Sequence, residues 1–172
     1  MKDDFDKVIA LVKQLELSPD PTIWRGRFIL QKITFLAQSL GIDFNYIFTP
    51  YASGPYSSIL ADDYYAYPSE LNSRTSNFEF DESEIKSIQK ITEYCDFDGS
   101  ISQIEATSTF VYILRDEWNK DEEVNRKFKS LKPYISNTKR IKGMIKAKQI
   151  LFKDEYLTEE LKQEHDVWDS LE

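Results

Sequence analysis

Between residues 27 and 63 the chain passes from an apolar helical pattern to an aromatic, β-branched run and then to a Ser-Gly-Pro-Tyr-Ser turn. This order constrains the fold because each part dictates a different backbone. In the first part Phe28, Ile29, Ile33, Leu36 and Leu40 recur mostly at three- and four-residue spacing, with Leu30 and Phe35 widening the arc. The spacing predicts a helix from Ile23 to Leu40, capped by Thr22 and stopped by Gly41. So wide an apolar arc predicts a helix covered on more than one side. Residues 44–49, Phe-Asn-Tyr-Ile-Phe-Thr, predict a strand. Ser53-Gly54-Pro55 then predicts a helix start, because proline at the first helical position loses no hydrogen bond and has its φ already set. Ile59, Leu60 and Tyr64 are expected to face the core.

The flanking regions carry weaker versions of the same signals. Phe5, Val8, Ile9, Leu11, Val12 and Leu15 predict an amphipathic helix over 4–16, ended by Ser18-Pro19-Asp20-Pro21. Residues 69–80 have a polar centre between Leu71 and the pair Phe78 and Phe80, which predicts a small hairpin with Arg74 at its tip. Further helices are predicted after a cap at Asp81 or Ser83, from Ser100 to Trp118, over 121–131, and from an Asn137 cap to Phe152. The expected fold is α+β and predominantly helical. It forms a single domain over residues 1–153 with a winged-helix-like hairpin, followed by an acidic tail over 154–172.

Charge excludes some roles. A net charge of −8 opposes a general nucleic-acid binder. The sum hides an asymmetry: Asn125 to Gln149 holds nine basic residues and no acidic one, so the rest of the chain carries −17. The charged start, MKDDFDKV, does not resemble a signal peptide, and no apolar run approaches the ~18 residues of a membrane span. A single cysteine, Cys95, forms no internal disulfide, and the expected compartment is the cytoplasm.

Several pieces now coincide: Leu30-Gln31-Lys32-Ile33 on the predicted helix, Tyr51-Ala52-Ser53-Gly54-Pro55-Tyr56-Ser57 after the predicted strand, Ile104-Glu105-Ala106-Thr107-Ser108, and Leu131-Lys132-Pro133. Over residues 25–140 this pattern resembles the YwgA-like group of prokaryotic proteins and, more distantly, the SocA/Panacea antitoxin domain. The resemblance implies a mostly helical architecture with a winged-helix-like β element and a regulatory, antitoxin-like role rather than a catalytic one. The motif residues it carries over are Gln31, Lys32, Tyr51, Gly54, Pro55, Tyr56 and Ser57.

The residues themselves suggest the working surfaces. Gly54 can supply a positive φ, and Ser57 lies where helix N–H groups are open. The turn is expected to pack strand against helix, with a small-anion contact as its functional alternative. Eight aromatics fall between residues 44 and 67. Phe44, Phe48 and Tyr64 are assigned to the core, and Tyr65 and Tyr67 to a partner surface. Glu105 sits beside an inward helix face, so it needs a cation, and Arg25, Arg27 and Lys32 are the expected partners. Lys139, Arg140, Lys142, Lys146 and Lys148 form a candidate cationic stripe.

Catalytic signals are poor. The one histidine, His165, lies in the acidic tail, and no metal-ligand spacing, Walker loop, dinucleotide turn or nucleophile elbow is present. Asp62 and Asp63 are adjacent and are assigned to solubility. The expectation is therefore a non-enzymatic regulatory or adaptor module with no cofactor and no metal, acting by contact with a protein partner. The alternative is a winged-helix DNA-binding protein using the basic 125–149 region. A minimal enzyme built on Glu105 or Asp62 ranks third.

Overall fold

A computed structural model describes residues 3–116 and 121–152. The expected acidic tail, with His165, and the expected helix end at Trp118 lie outside the described residues. The architecture is mostly helical α+β with one small antiparallel hairpin. The chain divides into two compact units, Met1–Glu93 and Tyr94–Glu172.

The first unit is organised by its second helix. Helix α1 spans Asp3–Gln14 and buries Phe5, Val8, Ile9 and Val12, the residues that its 3.6-residue period places on one face. Asp3, Asp4 and Asp6 occupy its first turn, where the helix dipole favours negative charge. Helix α2 spans Trp24–Ser39, and every residue from Phe28 to Ala37 is buried. The wide apolar arc is thus a helix covered all round. Its N-cap is Ile23, with no side-chain cap bond, rather than Thr22. Thr22 instead gives its N–H and its hydroxyl to the Asp20 carboxylate, at 2.8 and 2.7 Å. This closes an Asx turn that folds the Pro19–Pro21 loop onto the helix. Gly26 is required there, since a Cβ would lie 1.9 Å from the Asp20 carbonyl oxygen. Gly41, at φ +96°, ends the helix as expected.

Residues 42–48 alternate strictly between buried and exposed, the period of a half-buried strand. They nonetheless form no ladder, which corrects the strand expected over 44–49. Asn45 takes a positive φ of 56° in the middle of the run. The Tyr46 main chain is met by a side chain instead: Gln38 donates to the Tyr46 carbonyl at 2.7 Å and accepts its N–H at 3.1 Å. The strands lie just beyond. β1 spans Thr49–Tyr51 and β2 spans Gly54–Tyr56, paired antiparallel with Tyr51 opposite Gly54. Helix α3, Ser58–Ala66, follows with Ser57 as its N-cap, so Pro55 ends up in a strand and not at a helix start. Ile59 is exposed rather than core.

No strand is assigned within 69–80. Helix α4 runs over Pro68–Ser73, started by proline in its first turn, and Arg74 closes it in the left-handed region at φ 51°. Helix α5, Glu82–Tyr94, begins with a capping box: Asp81 accepts from the N–H groups of Ser83 and Glu84, and Glu84 accepts from that of Asp81.

The second unit contains α6 (Ile101–Asp116), α7 (Asp121–Leu131) and α8 (Asn137–Leu151), the last capped by Ser136 rather than Asn137. Helices α6 and α8 approach closely because Gly143 faces Ala106; a Cβ at Gly143 would lie 2.7 Å from the alanine Cβ. Phe110 and Phe128 stack at 4.0 Å between α6 and α7. No described helix is long and apolar enough to cross a membrane.

Candidate functional site: an aromatic recess on the motif helix

The motif residues converge around one turn of backbone. Gln31 projects from α2 at Ser57, donating to its carbonyl at 2.9 Å and accepting its N–H at 2.8 Å. One turn of helix thus supplies the pair of bonds that a neighbouring strand would otherwise give. Lys32 donates to the Pro55 carbonyl at 2.7 Å, and its ammonium lies 5.0 Å from the centre of the Phe28 ring. Gln31, Lys32 and Ser57 are all buried, and each has a partner that offsets the cost of burial. Gly54 takes φ +90°, the conformation that lets the hairpin turn back onto α2. The Ser57 hydroxyl accepts the Leu60 N–H at 3.3 Å as a helix cap. The turn therefore packs hairpin against helix, and Ser57 is already engaged through both main chain and side chain.

Above this clamp lies a recess of about 280 Å³ lined by Trp24, Arg27, Phe28, Gln31, Lys32, Tyr51–Gly54, Tyr56, Tyr64 and Tyr65. Its walls are three aromatic pairs. Trp24 stacks on Phe28 at 5.2 Å, Tyr51 lies 5.2 Å from Tyr56, and Tyr65 meets Tyr64 edge-on at 4.9 Å. In each pair one ring is exposed and the other sits deeper: Trp24, Tyr51 and Tyr65 are 51%, 65% and 60% exposed. Burial pushes the Tyr64 phenol up to about 12, so it stays neutral at physiological pH. The Arg27 guanidinium donates to the Pro21 and Thr22 carbonyls at 3.1 and 2.9 Å, which ties the loop before α2. The lining holds no carboxylate, imidazole or thiol. What it presents is aromatic area, hydroxyls and two cations that bond to main-chain carbonyls.

Of the residues singled out in sequence, Gln31, Lys32, Tyr51, Gly54, Tyr56 and Tyr65 meet here, with Pro55 and Ser57 as the backbone they hold. Tyr67 does not join them; it is half-buried, 6.0 Å from the Phe5 ring. Arg74 is a helix C-cap and donates to the Leu17 carbonyl at 3.4 Å, so it tips no hairpin. Asp63 is buried and accepts the Tyr46 hydroxyl at 2.9 Å, whereas solubility is the role expected of it. Trp24 is the residue that sequence reasoning missed, and Phe28, read there only as part of the apolar stripe, is the ring it stacks on. Their spacing of four across the start of an apolar helix is the signal that pairs them on one face.

Glu105 is buried, as expected, but its cation is different. Lys132 Nζ lies 2.8 Å from Glu105 Oε1, and the Tyr134 hydroxyl donates to the same oxygen. The expected partners Arg27 and Lys32 instead address main-chain carbonyls. The ring of Tyr134 is exposed, but desolvation of its hydroxyl where it meets Glu105, together with the bond to that carboxylate and its charge, raises the phenol well above its ordinary range. The cationic stripe is not an outward face. Lys142 is buried, and Lys139, Arg140, Lys146 and Lys148 are half-buried. Lys139 reaches Ser102 at 3.1 Å, Arg140 donates to Asn125, and Lys148 pairs with Asp121 at 2.6 Å.

No family model, curated protein or solved structure matches the chain.

Proposed function

We propose that this protein is a non-enzymatic regulatory or adaptor module, antitoxin-like in kind, that holds an extended segment of a partner protein in the aromatic recess. The observation that carries this reading is the set of three exposed rings, Trp24, Tyr51 and Tyr65, each seated on a deeper ring around one recess. Exposed Trp and Tyr supply large contact area at low entropic cost and dominate interface energetics. A volume of about 280 Å³ falls just below the ~300–1,000 Å³ of small-molecule pockets and suits one or two inserted side chains. Aromatic-lined grooves of this kind favour stiff, proline-bearing or apolar peptides. The Gln31 and Lys32 clamp fixes the hairpin beforehand, which lowers the ordering cost of binding.

The test is selection from a displayed library of random peptides, followed by calorimetry on the selected sequences. The double variant Trp24→Ala/Tyr65→Ala is expected to lose binding while keeping the wild-type melting temperature. Selected peptides that bind this variant as tightly as wild type would sink the reading, as would a library that yields none.

A further inference from the structure

The hairpin that borders the aromatic recess restricts the form a bound segment can take. Thr49 faces Tyr56, Pro50 faces Pro55 and Tyr51 faces Gly54. Antiparallel pairs alternate between those that exchange two main-chain bonds and those that exchange none. Two prolines have no N–H to exchange, so Pro50 and Pro55 are a pair of the second kind, and their carbonyls turn out of the ladder. The Pro55 carbonyl is indeed met from outside the hairpin, by the Lys32 ammonium at 2.7 Å. That side of β2 is taken by α2, whereas all three residues of β1 are exposed. Within β1 the one position turned outward is Pro50, which offers a carbonyl and no N–H. A strand laid along β1 gains no main-chain donor there.

We infer that the recess takes a proline-rich segment in the polyproline II form and not an added strand, an inference that rests on reading the recess as a partner site. A polyproline II helix makes no internal hydrogen bonds, and each proline in it removes an N–H while leaving a carbonyl. Such a segment is rich in acceptors and poor in donors. The lining is its complement. It holds no carboxylate, and Gln31 has both ends of its amide on Ser57. The exposed Trp24 and Tyr65 bring an indole N–H, which only donates, and a phenol O–H. An ordinary extended segment carries an N–H at every residue and meets few side-chain acceptors here. The flat faces of Trp24, Tyr51 and Tyr65 suit pyrrolidine rings, which are stiff before they bind and lose little entropy on binding. A recess of about 280 Å³ suits one or two such rings.

The test is calorimetry on the full chain with a panel of peptides that repeat Pro-Pro with each amino acid in turn as the third residue. The same panel with alanine for every proline is the control. The best proline peptide is expected to bind at least about tenfold tighter than its alanine counterpart. Trp24→Ala/Tyr65→Ala is expected to abolish that binding at an unchanged melting temperature. Pro50→Ala, which gives β1 an outward N–H, is expected to leave it unchanged. The inference is overturned if no proline peptide binds, if the alanine counterparts bind as tightly, or if Pro50→Ala tightens binding, the mark of strand addition. In each of those cases the peptides selected from the random library decide how far the failure reaches. If they bind wild type and lose affinity in Trp24→Ala/Tyr65→Ala, the polyproline form alone falls. If the library yields none, the partner reading falls with it.

Discussion

Lys32 and Lys132 are both buried lysines, yet they are held in different ways. In the first unit Lys32 donates to a main-chain carbonyl, and its α2 neighbours Gln31 and Gln38 likewise bond to main chain, at Ser57 and Tyr46. In the second unit Lys132 faces the Glu105 carboxylate, a side chain against a side chain. The first arrangement positions a stretch of backbone that has little ladder of its own. The second holds two charges inside a helical unit. A backbone carbonyl cannot be mutated away, whereas both members of an ion pair can, so the two regions must respond differently to substitution.

The largest effect is expected in the second unit. Lys132→Met leaves Glu105 as a buried carboxylate and should cost about 3–5 kcal/mol of stability. Glu105→Ala should also destabilise. The double variant Glu105→Leu/Lys132→Met should recover most of the loss, because no charge is left to desolvate and the exposed Tyr134 can turn its hydroxyl to water. Urea unfolding of the three variants checks this. A double variant as unstable as Lys132→Met would break the comparison at its root.

The first unit should offer no such rescue. Gln31→Leu strands the Ser57 N–H in a buried site, while the Ser57 carbonyl keeps the Ala61 N–H at 3.1 Å, and should cost about 1–3 kcal/mol, one desolvation penalty. Proline, the one residue without a backbone N–H, does not fit the φ of −119° at Ser57, so no second substitution removes the stranded group and suppressors at neighbouring apolar positions should restore little. A screen that recovers full stability from one added substitution would show that the hairpin is held by packing and not by this clamp.

The two units also share an alkaline limit. Burial pushes the Cys95 thiol up to about 12 from 9.0, against the opposing influence of Lys146, and pushes Tyr64 up to about 12 from 10.0. Each group is neutral when protonated and holds its proton more tightly folded than unfolded. The stability this contributes is fully present below the unfolded values and is lost as pH rises through that window toward the folded ones. The urea midpoint should fall between about pH 9 and 12. Near neutral pH Cys95, protonated and nearly buried on the lining of a cavity, should react with a thiol reagent more slowly than a free thiol. Prompt reaction in the native protein would contradict the buried, protonated thiol.

Much of this frame could be read from residue order. The spacing of Phe5, Val8, Ile9 and Val12 gives α1, and the apolar arc of residues 28–37 gives a helix buried all round. Gly54 takes the positive φ its position calls for. The failures have a common cause, which is that periodicity reports a segment and not its partner. Residues 42–48 carry a strand's alternation, but a glutamine side chain meets the Tyr46 main chain where a second strand would. The hairpin expected at 69–80 loses to Pro68, whose fixed φ starts a helix. Lys132 and Tyr134 meet Glu105 only through the packing of the unit that holds all three, and nothing in their spacing announces it. The recess was half legible, since its tyrosines cluster in sequence while Trp24 and Phe28 come from the preceding helix.

The smallest expected effect is the most direct comparison, because one residue type plays one role in both units. Ser57 and Ser136 are both N-caps, accepting the Leu60 N–H at 3.3 Å and the Lys139 N–H at 3.4 Å. Alanine at an N-cap costs typically about 1 kcal/mol, within a span of about 0.5–2. What separates the two is water. Ser57 is buried, so in Ser57→Ala the Leu60 N–H has little access to solvent and the cost should fall in the upper half of that span. Ser136 is exposed, and in Ser136→Ala the Lys139 N–H can hydrate, which places its cost at the lower end. Glycine at position 136 should then be nearly neutral, while glycine at 57 should not, because its backbone must still present both groups to Gln31. Equal losses in the two alanine variants would mean that the Ser57 turn opens to water more readily than its burial implies, and would weaken the view of α2 as a rigid clamp beneath the recess.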